Sequence, residues 1–182
     1  MNMNSINETK VITDIVILNF PHLLNINNRS KFENSQAKYD TVIIISKNDN
    51  ETLSKINSAI DKAIIKSGFS KDKDIKSPLK DGDVDYPHNS LYDNSMYMYV
   101  STAIRPKIVD NELKEIPFYT TEIESGRYAK VSMYFEGYKT YETGKCGISA
   151  KLLNVQVFPS NRLLELRTKP EDDFKVEEVN EN

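Results

Sequence analysis

The chain has 182 residues, 38% of them hydrophobic, and a formal net charge of −3; that is enough for one sizeable core and too short for two comfortable domains. Its longest apolar stretches, Val16–Leu18 and Val42–Ile45, fall far short of the roughly 18 residues that span a bilayer, so no membrane partner is expected. A single cysteine, Cys146, leaves no internal disulfide, and two histidines are too few soft ligands for a zinc site, so no metal or other cofactor is expected.

Residues 1–9 are hydrophilic, lack both the basic and the apolar region of a secretory signal, and read as a flexible start to a cytoplasmic protein. Lys10 to Phe20 is rich in Val and Ile and predicts a first strand that Pro21 should stop, since proline cannot donate to a sheet ladder. A polar loop over Asn25 to Gln36 follows, then a second strand over Tyr39 to Ser46. From Asn48 to Ser67 the period changes. Leu53, Ile56, Ile60, Ala63 and Ile64 fall on one helical face, Asn48 with Glu51 resembles a capping box, and Gly68 stands where a glycine should end the helix. The apolar stripe predicts a lid over one end or face of a sheet.

Phe69 to Asn94 carries charges, Pro78, Gly82 and Pro87 with almost no period, and reads as a long excursion. Met96 to Ile104 predicts a third strand. Arg105 to Asp110 starts another after a kink, with a turn at Asp110-Asn111-Glu112. Gly126–Phe135 and Gly147–Phe158 are the two clearest later strands, joined by a polar loop, and the chain is expected to fray beyond Pro159. The fold class is therefore mainly β (α+β): an OB-fold-like β-barrel with one principal amphipathic helix, although the same propensities suit another α+β barrel. One domain is expected over residues 10–169, with 170–182 as a disordered acidic tail.

The charge divides unevenly. The chain has 24 basic and 27 acidic residues, and after Pro170 stand Glu171, Asp172, Asp173, Glu177, Glu178 and Glu181 against Lys175 alone, which leaves 23 bases and 21 acids, about +2, for the rest. Such a tail either keeps the protein soluble, mimics nucleic acid in an empty groove, or recruits partner proteins.

Seven of the ten tyrosines lie between Tyr97 and Tyr141, many beside a cation. In Gly126–Phe135 the residues Ala129, Val131, Met133 and Phe135 share one face, while Tyr128, Lys130, Ser132 and Tyr134 share the other. Tyr97 and Tyr99 oppose Met98, Val100 and Ile104 in the same way, followed by Arg105 and Lys107. Flat rings for bases and cations for phosphates are what single-strand binding without sequence readout requires, and two adjacent strands of this kind would make one platform. Arg127 belongs with this set. Tyr138, Lys139, Tyr141 and Lys145 form a candidate finger, and Lys31, Phe32, Lys38 and Tyr39 a similar pairing near the N-terminus. Tyrosine is also a good strand residue, so plain sheet packing in an interaction module remains the alternative.

Asp81, Asp83 and Asp85 alternate as in a metal-dependent nuclease or phosphoesterase. Counted from Asp81, however, Tyr86 and Tyr92 stand where a calcium loop needs glycine and glutamate, which favours a turn or loop clasp. His22 and His88 each follow a proline and suit turns. Cys146 reads as a core residue at a strand start.

An ordered series of segments resembles a phage family, the Enc34-like single-stranded DNA-binding proteins, formerly a domain of unknown function. It runs Phe20-Pro21-His22-Leu23, Lys38-Tyr39, Ser46-Lys47-Asn48-Asp49, Pro78-Leu79-Lys80-Asp81-Gly82-Asp83, the Tyr97 strand into Arg105-Pro106 and Val109-Asp110, Gly126-Arg127-Tyr128-Ala129, and Leu153-Asn154-Val155-Gln156, spanning about residues 10 to 158. The resemblance implies an OB-fold, single-stranded DNA binding and an acidic C-terminal tail. Together with the residues above, the expected role is a non-enzymatic one in phage DNA replication, recombination or repair in the bacterial cytoplasm, with replication or recombination proteins as partners of the tail and self-association as a homo-oligomer left open. The chain departs in Ser46-Lys47, where the family often has Pro-Lys, and in its longer hydrophilic N-terminus.

Overall fold

The computed structural model describes residues 3–27, 37–69, 74–118, 123–140 and 143–166. Lys31, Phe32, Tyr141 and the acidic segment after Pro170 lie outside them. Helix α2, Asn50–Lys66, realises the expected stripe: Ile56, Ala59, Ile60 and Ala63 are buried, with Leu53 and Ile64 partly so. Its cap is Asp49, not Asn48, because the Asp49 carboxylate accepts from the Thr52 N–H at 3.0 Å. Gly68, at φ +64, ends it as expected.

Among the described residues nine strands form one hydrogen-bonded sheet: β1 Lys10–Ile12, β2 Val16–Asn27, β3 Lys38–Ser46, β4 Ile75–Lys76, β5 Lys80–Asp81, β6 Ser95–Thr102, β7 Lys107–Val109, β8 Arg127–Lys139 and β9 Cys146–Asn161. Five of them close on themselves in the order β8-β2-β3-β6-β9-β8. Every pairing in this ring is antiparallel except β6 with β9. Alternation fills the inside with Leu18, Ile43, Ile45, Met98, Val100, Ala129, Val131, Met133, Phe135 and Leu152, and α2 packs onto β8, β1 and β9. The described residues are thus mainly β with one principal helix; α1 Met3–Glu8, α3 Gly82–Asp85 and α4 Arg162–Glu165 are short. No helix among them is long and apolar enough to cross a membrane.

Residues 3–8 form the short helix α1. Several expectations are corrected. The first predicted strand breaks into β1 and β2, and Pro21 does not stop β2, because the pairing with β3 slips between Asn19 and His22 and places Phe20-Pro21 in a bulge where a missing N–H costs no ladder bond. Just beyond Pro159 the chain does not fray: β9 runs on to the buried Asn161 and α4 follows. Ile104 lies past the end of β6 and is 81% exposed. Cys146 opens β9 and is buried, as read from the sequence.

Candidate nucleic-acid interface

The outer face of the ring is laid out by register. Tyr128 on β8 pairs with Ile17 on β2, Ile17 with Ile44 on β3, and Ile44 with Tyr97 on β6, which itself pairs with Lys80 on β5. The next row is Asn19, Val42 and Tyr99, and the next His22, Asp40 and Ser101. β6 and β8 are not neighbours: β2 and β3 separate them on one side and β9 on the other. The single platform of two adjacent tyrosine strands is therefore replaced by a face that spans four strands.

Part of this face is covered. The segment Gly82–Asn94, with α3 and a 3₁₀ turn at Ser90–Tyr92, folds back so that Leu91 and Tyr92 pack with Ile44 and Tyr97. Tyr86, Tyr92 and Tyr97 form an aromatic cluster with ring centroids 4.3 to 5.4 Å apart. Tyr97 is only 8% exposed and donates to Asp85 at 2.6 Å. The alternating acids hold this segment in place. Lys47 Nζ lies 2.7 Å from Asp81 and 2.6 Å from Asp83, and Asp83 also accepts the Asn94 N–H at 2.8 Å. Lys47 holds both carboxyls below their ordinary range. Among the described residues no three His, Cys, Asp or Glu side chains group as metal ligands.

One row along, the face is open. Tyr99 is 51% exposed, and its hydroxyl donates at 2.6 Å to Asp40, which is 5% exposed and lies 2.9 Å from His22 Nδ1. Burial, then the Asp40 carboxylate, push the Tyr99 phenol well above its ordinary range, so it stays a neutral donor. One ring orientation is thereby fixed. Beside this row the exposed Arg105 donates to the Leu24 carbonyl at 3.0 Å and lies 4.4 Å over the Phe118 ring. Lys107 is exposed on β7, and Lys38 opens β3.

The remaining predicted residues scatter. Tyr39 has the inward parity of Thr41 and is half-buried. Arg127 donates to the carbonyls of Phe158 and Pro159, at 3.2 and 2.7 Å, a structural tie. Tyr128 donates to Glu165 at 2.9 Å, and burial followed by that carboxylate raises its pKa. Lys130 pairs with Asp14 at 3.0 Å. Tyr134 lies opposite Lys10 of β1 and lines a recess with Ala63 and Ser67 at the end of α2, away from Tyr99. Tyr138, Lys139 and Lys145 do sit on the β8–β9 hairpin, all three exposed. Because β6 and β9 run parallel, that hairpin lies at the end of the ring where β6 begins, whereas Arg105 and Lys107 follow its other end, about 25 Å away at 3.3 Å per residue.

Sequence reasoning missed Phe20, His22, Asp40 and Phe118 as members of this face. Phe20 and Phe118 are 65% and 58% exposed. The one available signal was Phe20-Pro21 inside an apolar run, an exposed aromatic at a bulge.

The ring of strands is shared with known proteins. The chain belongs to the family described as Enterobacter phage Enc34, ssDNA-binding protein, whose model matches residues 9–182. The single-stranded DNA-binding protein from bacteriophage Enc34, solved in complex with ssDNA, superposes with a TM-score of 0.70 at 18% identity, covering 82% of this chain and 85% of that one. Its C-terminal truncation gives 0.72 at 19% identity, with coverages of 84% and 87%. The single-stranded DNA-binding protein gp2.5 of bacteriophage T7 gives 0.63 at 13% identity, with coverages of 92% and 98%. No curated protein matches this sequence.

Proposed function

We propose that this chain coats single-stranded DNA without sequence preference, as a non-enzymatic protein of phage DNA replication, recombination or repair in the bacterial cytoplasm. The five-strand ring is an OB-type barrel. Numbered along the chain, its strands close in the order 1-2-3-5-4-1, and β3 with β6 then supplies the strand 2–3 face on which such barrels bind oligonucleotides. The observation that carries the reading is Tyr99: a half-exposed ring, fixed by a buried carboxylate on that face, with Arg105, Lys107 and Lys38 at its rim. Rings accept any base and cations meet phosphates, so affinity needs no base-edge readout. Lys139 and Lys145 extend the track to the other end of the barrel, and residues 170–182 serve as an acidic arm for partner proteins beside the binding domain of residues 10–169.

Titrating a labelled dT oligomer with the full chain at rising salt tests this. The affinity should fall log-linearly with salt, by a slope that shrinks by about one unit for each phosphate-contacting cation removed among Lys38, Arg105 and Lys107. Equal binding to duplex, or no binding at low salt, would sink the proposal.

A further inference from the structure

Phe20 occupies a conformation that its own residue type disfavours. It has φ +49, in the left-handed region that a side chain with a Cβ seldom adopts. Its ring is 65% exposed, so burial does not offset that cost. The surroundings enforce the conformation. The Phe20 N–H donates to Ser125 Oγ at 2.9 Å and to Asn19 Oδ1 at 3.1 Å, while Asn19, 5% exposed, donates to the Tyr92 hydroxyl at 2.9 Å. Gly126, one residue on from Ser125, donates to the Leu18 carbonyl at 2.7 Å and has φ +86; a Cβ there would meet Asn161 Oδ1 at 2.5 Å. A bulge pinned on both sides thus presents a bare aromatic ring to solvent, and strain retained without a packing return concentrates at binding sites.

The ring also edges a cleft of about 370 Å³ whose walls include Pro21, His22, Leu24, Ile123 and Glu124, at the small end of ligand clefts. Walls that combine the apolar Pro21, Leu24 and Ile123 with His22 and the Glu124 carboxyl suit a flat base with polar edges better than a phosphate. Phe20 lies on β2, two strands from Tyr99 on β6, about 10 Å at 4.8 Å per strand. That is roughly three times the 3.4 Å rise of a nucleic-acid strand, so the two rings hold different nucleotides.

We propose that Phe20 is a base-stacking wedge that seats one unpaired nucleobase over this cleft. The inference rests on the proposed single-strand binding and adds a second, separate base subsite to the Tyr99 row.

The test uses Phe20→Gly and Phe20→Trp in the full chain, with a dT oligomer carrying one 2-aminopurine moved along it. Glycine adopts positive φ freely, so Phe20→Gly should keep or raise the thermal midpoint while weakening binding about 5- to 150-fold, the range for one lost stacked base. Phe20→Trp should bind like the natural chain. One 2-aminopurine position should change its fluorescence on binding to the natural chain and to Phe20→Trp, and not to Phe20→Gly. A lowered midpoint in Phe20→Gly would show that the ring serves the fold and would overturn the wedge. So would unchanged affinity and fluorescence in that variant, which would leave single-strand binding itself intact. Failure of the natural chain to bind would remove both readings.

Discussion

Tyr97 and Tyr99 stand two residues apart on one strand, point to the same side, and each donate at 2.6 Å to a carboxylate, Asp85 or Asp40. Yet one is 8% and the other 51% exposed. Strand alternation decides which face a side chain joins, but a distant segment decides whether that face meets water. Here the segment Gly82–Asn94 turns the first tyrosine into the centre of a small aromatic core and stops short of the second. One outer face therefore holds a covered half and an open half.

The largest expected effect separates the halves. Tyr97→Ala should cost about 3 to 5 kcal/mol in urea unfolding, the range for emptying an aromatic core site, because Tyr86 and Tyr92 lose the ring they pack on. Tyr99→Ala should move the urea midpoint little and weaken dT-oligomer binding by about 1 to 3 kcal/mol in an anisotropy titration. If the two substitutions exchanged these effects, the division of the face would be wrong.

What the sequence made legible follows the same division between local and distant causes. The face of β8 could be read because Ala129, Val131, Met133 and Phe135 repeat at two, and the α2 stripe because Ile56, Ile60 and Ala63 repeat at three and four. The cap slipped by one residue since Asn48 and Asp49 are both competent and only geometry chooses. The neighbours of β6 and β8 depended on long-range pairing, to which neither strand's own pattern refers. Tyr97 was taken for a contact residue because the segment that covers it carries no period. Asp40 was missed because a buried strand acid needs partners, Tyr99 and His22, that only the fold brings near.

The shared phenol chemistry gives a smaller effect. Burial first, and then Asp85, Asp40 or Glu165, raise the pKa of Tyr97, Tyr99 and Tyr128 above the ordinary phenol range. Unfolded phenols ionise near pH 10, while the folded ones keep their protons. Stability held below that range should therefore fall as pH rises through it, since there the folded state binds more protons than the unfolded. Urea unfolding from pH 8 to 11 should show the decline, and Tyr97→Phe with Tyr99→Phe should make it shallower. A decline of equal slope in the double variant would assign it to other groups.

The smallest effect concerns the clasp that holds the covering segment. Lys47 depresses the carboxyls of Asp81 and Asp83, so their contribution to stability is present above the ordinary carboxylate range, near pH 4, and is lost as pH falls through their lowered values. Lys47→Met should thus lower the thermal midpoint slightly at neutral pH, and the difference from the natural chain should shrink in acid and in high salt, because these groups are solvent-facing and screened. Binding of a dT oligomer should stay unchanged, since the clasp secures the closed half of the face and not the row of Tyr99. If Lys47→Met weakened DNA binding as strongly as Tyr99→Ala, the clasped segment would itself touch the DNA, and the boundary between the two halves would have to move past Tyr97.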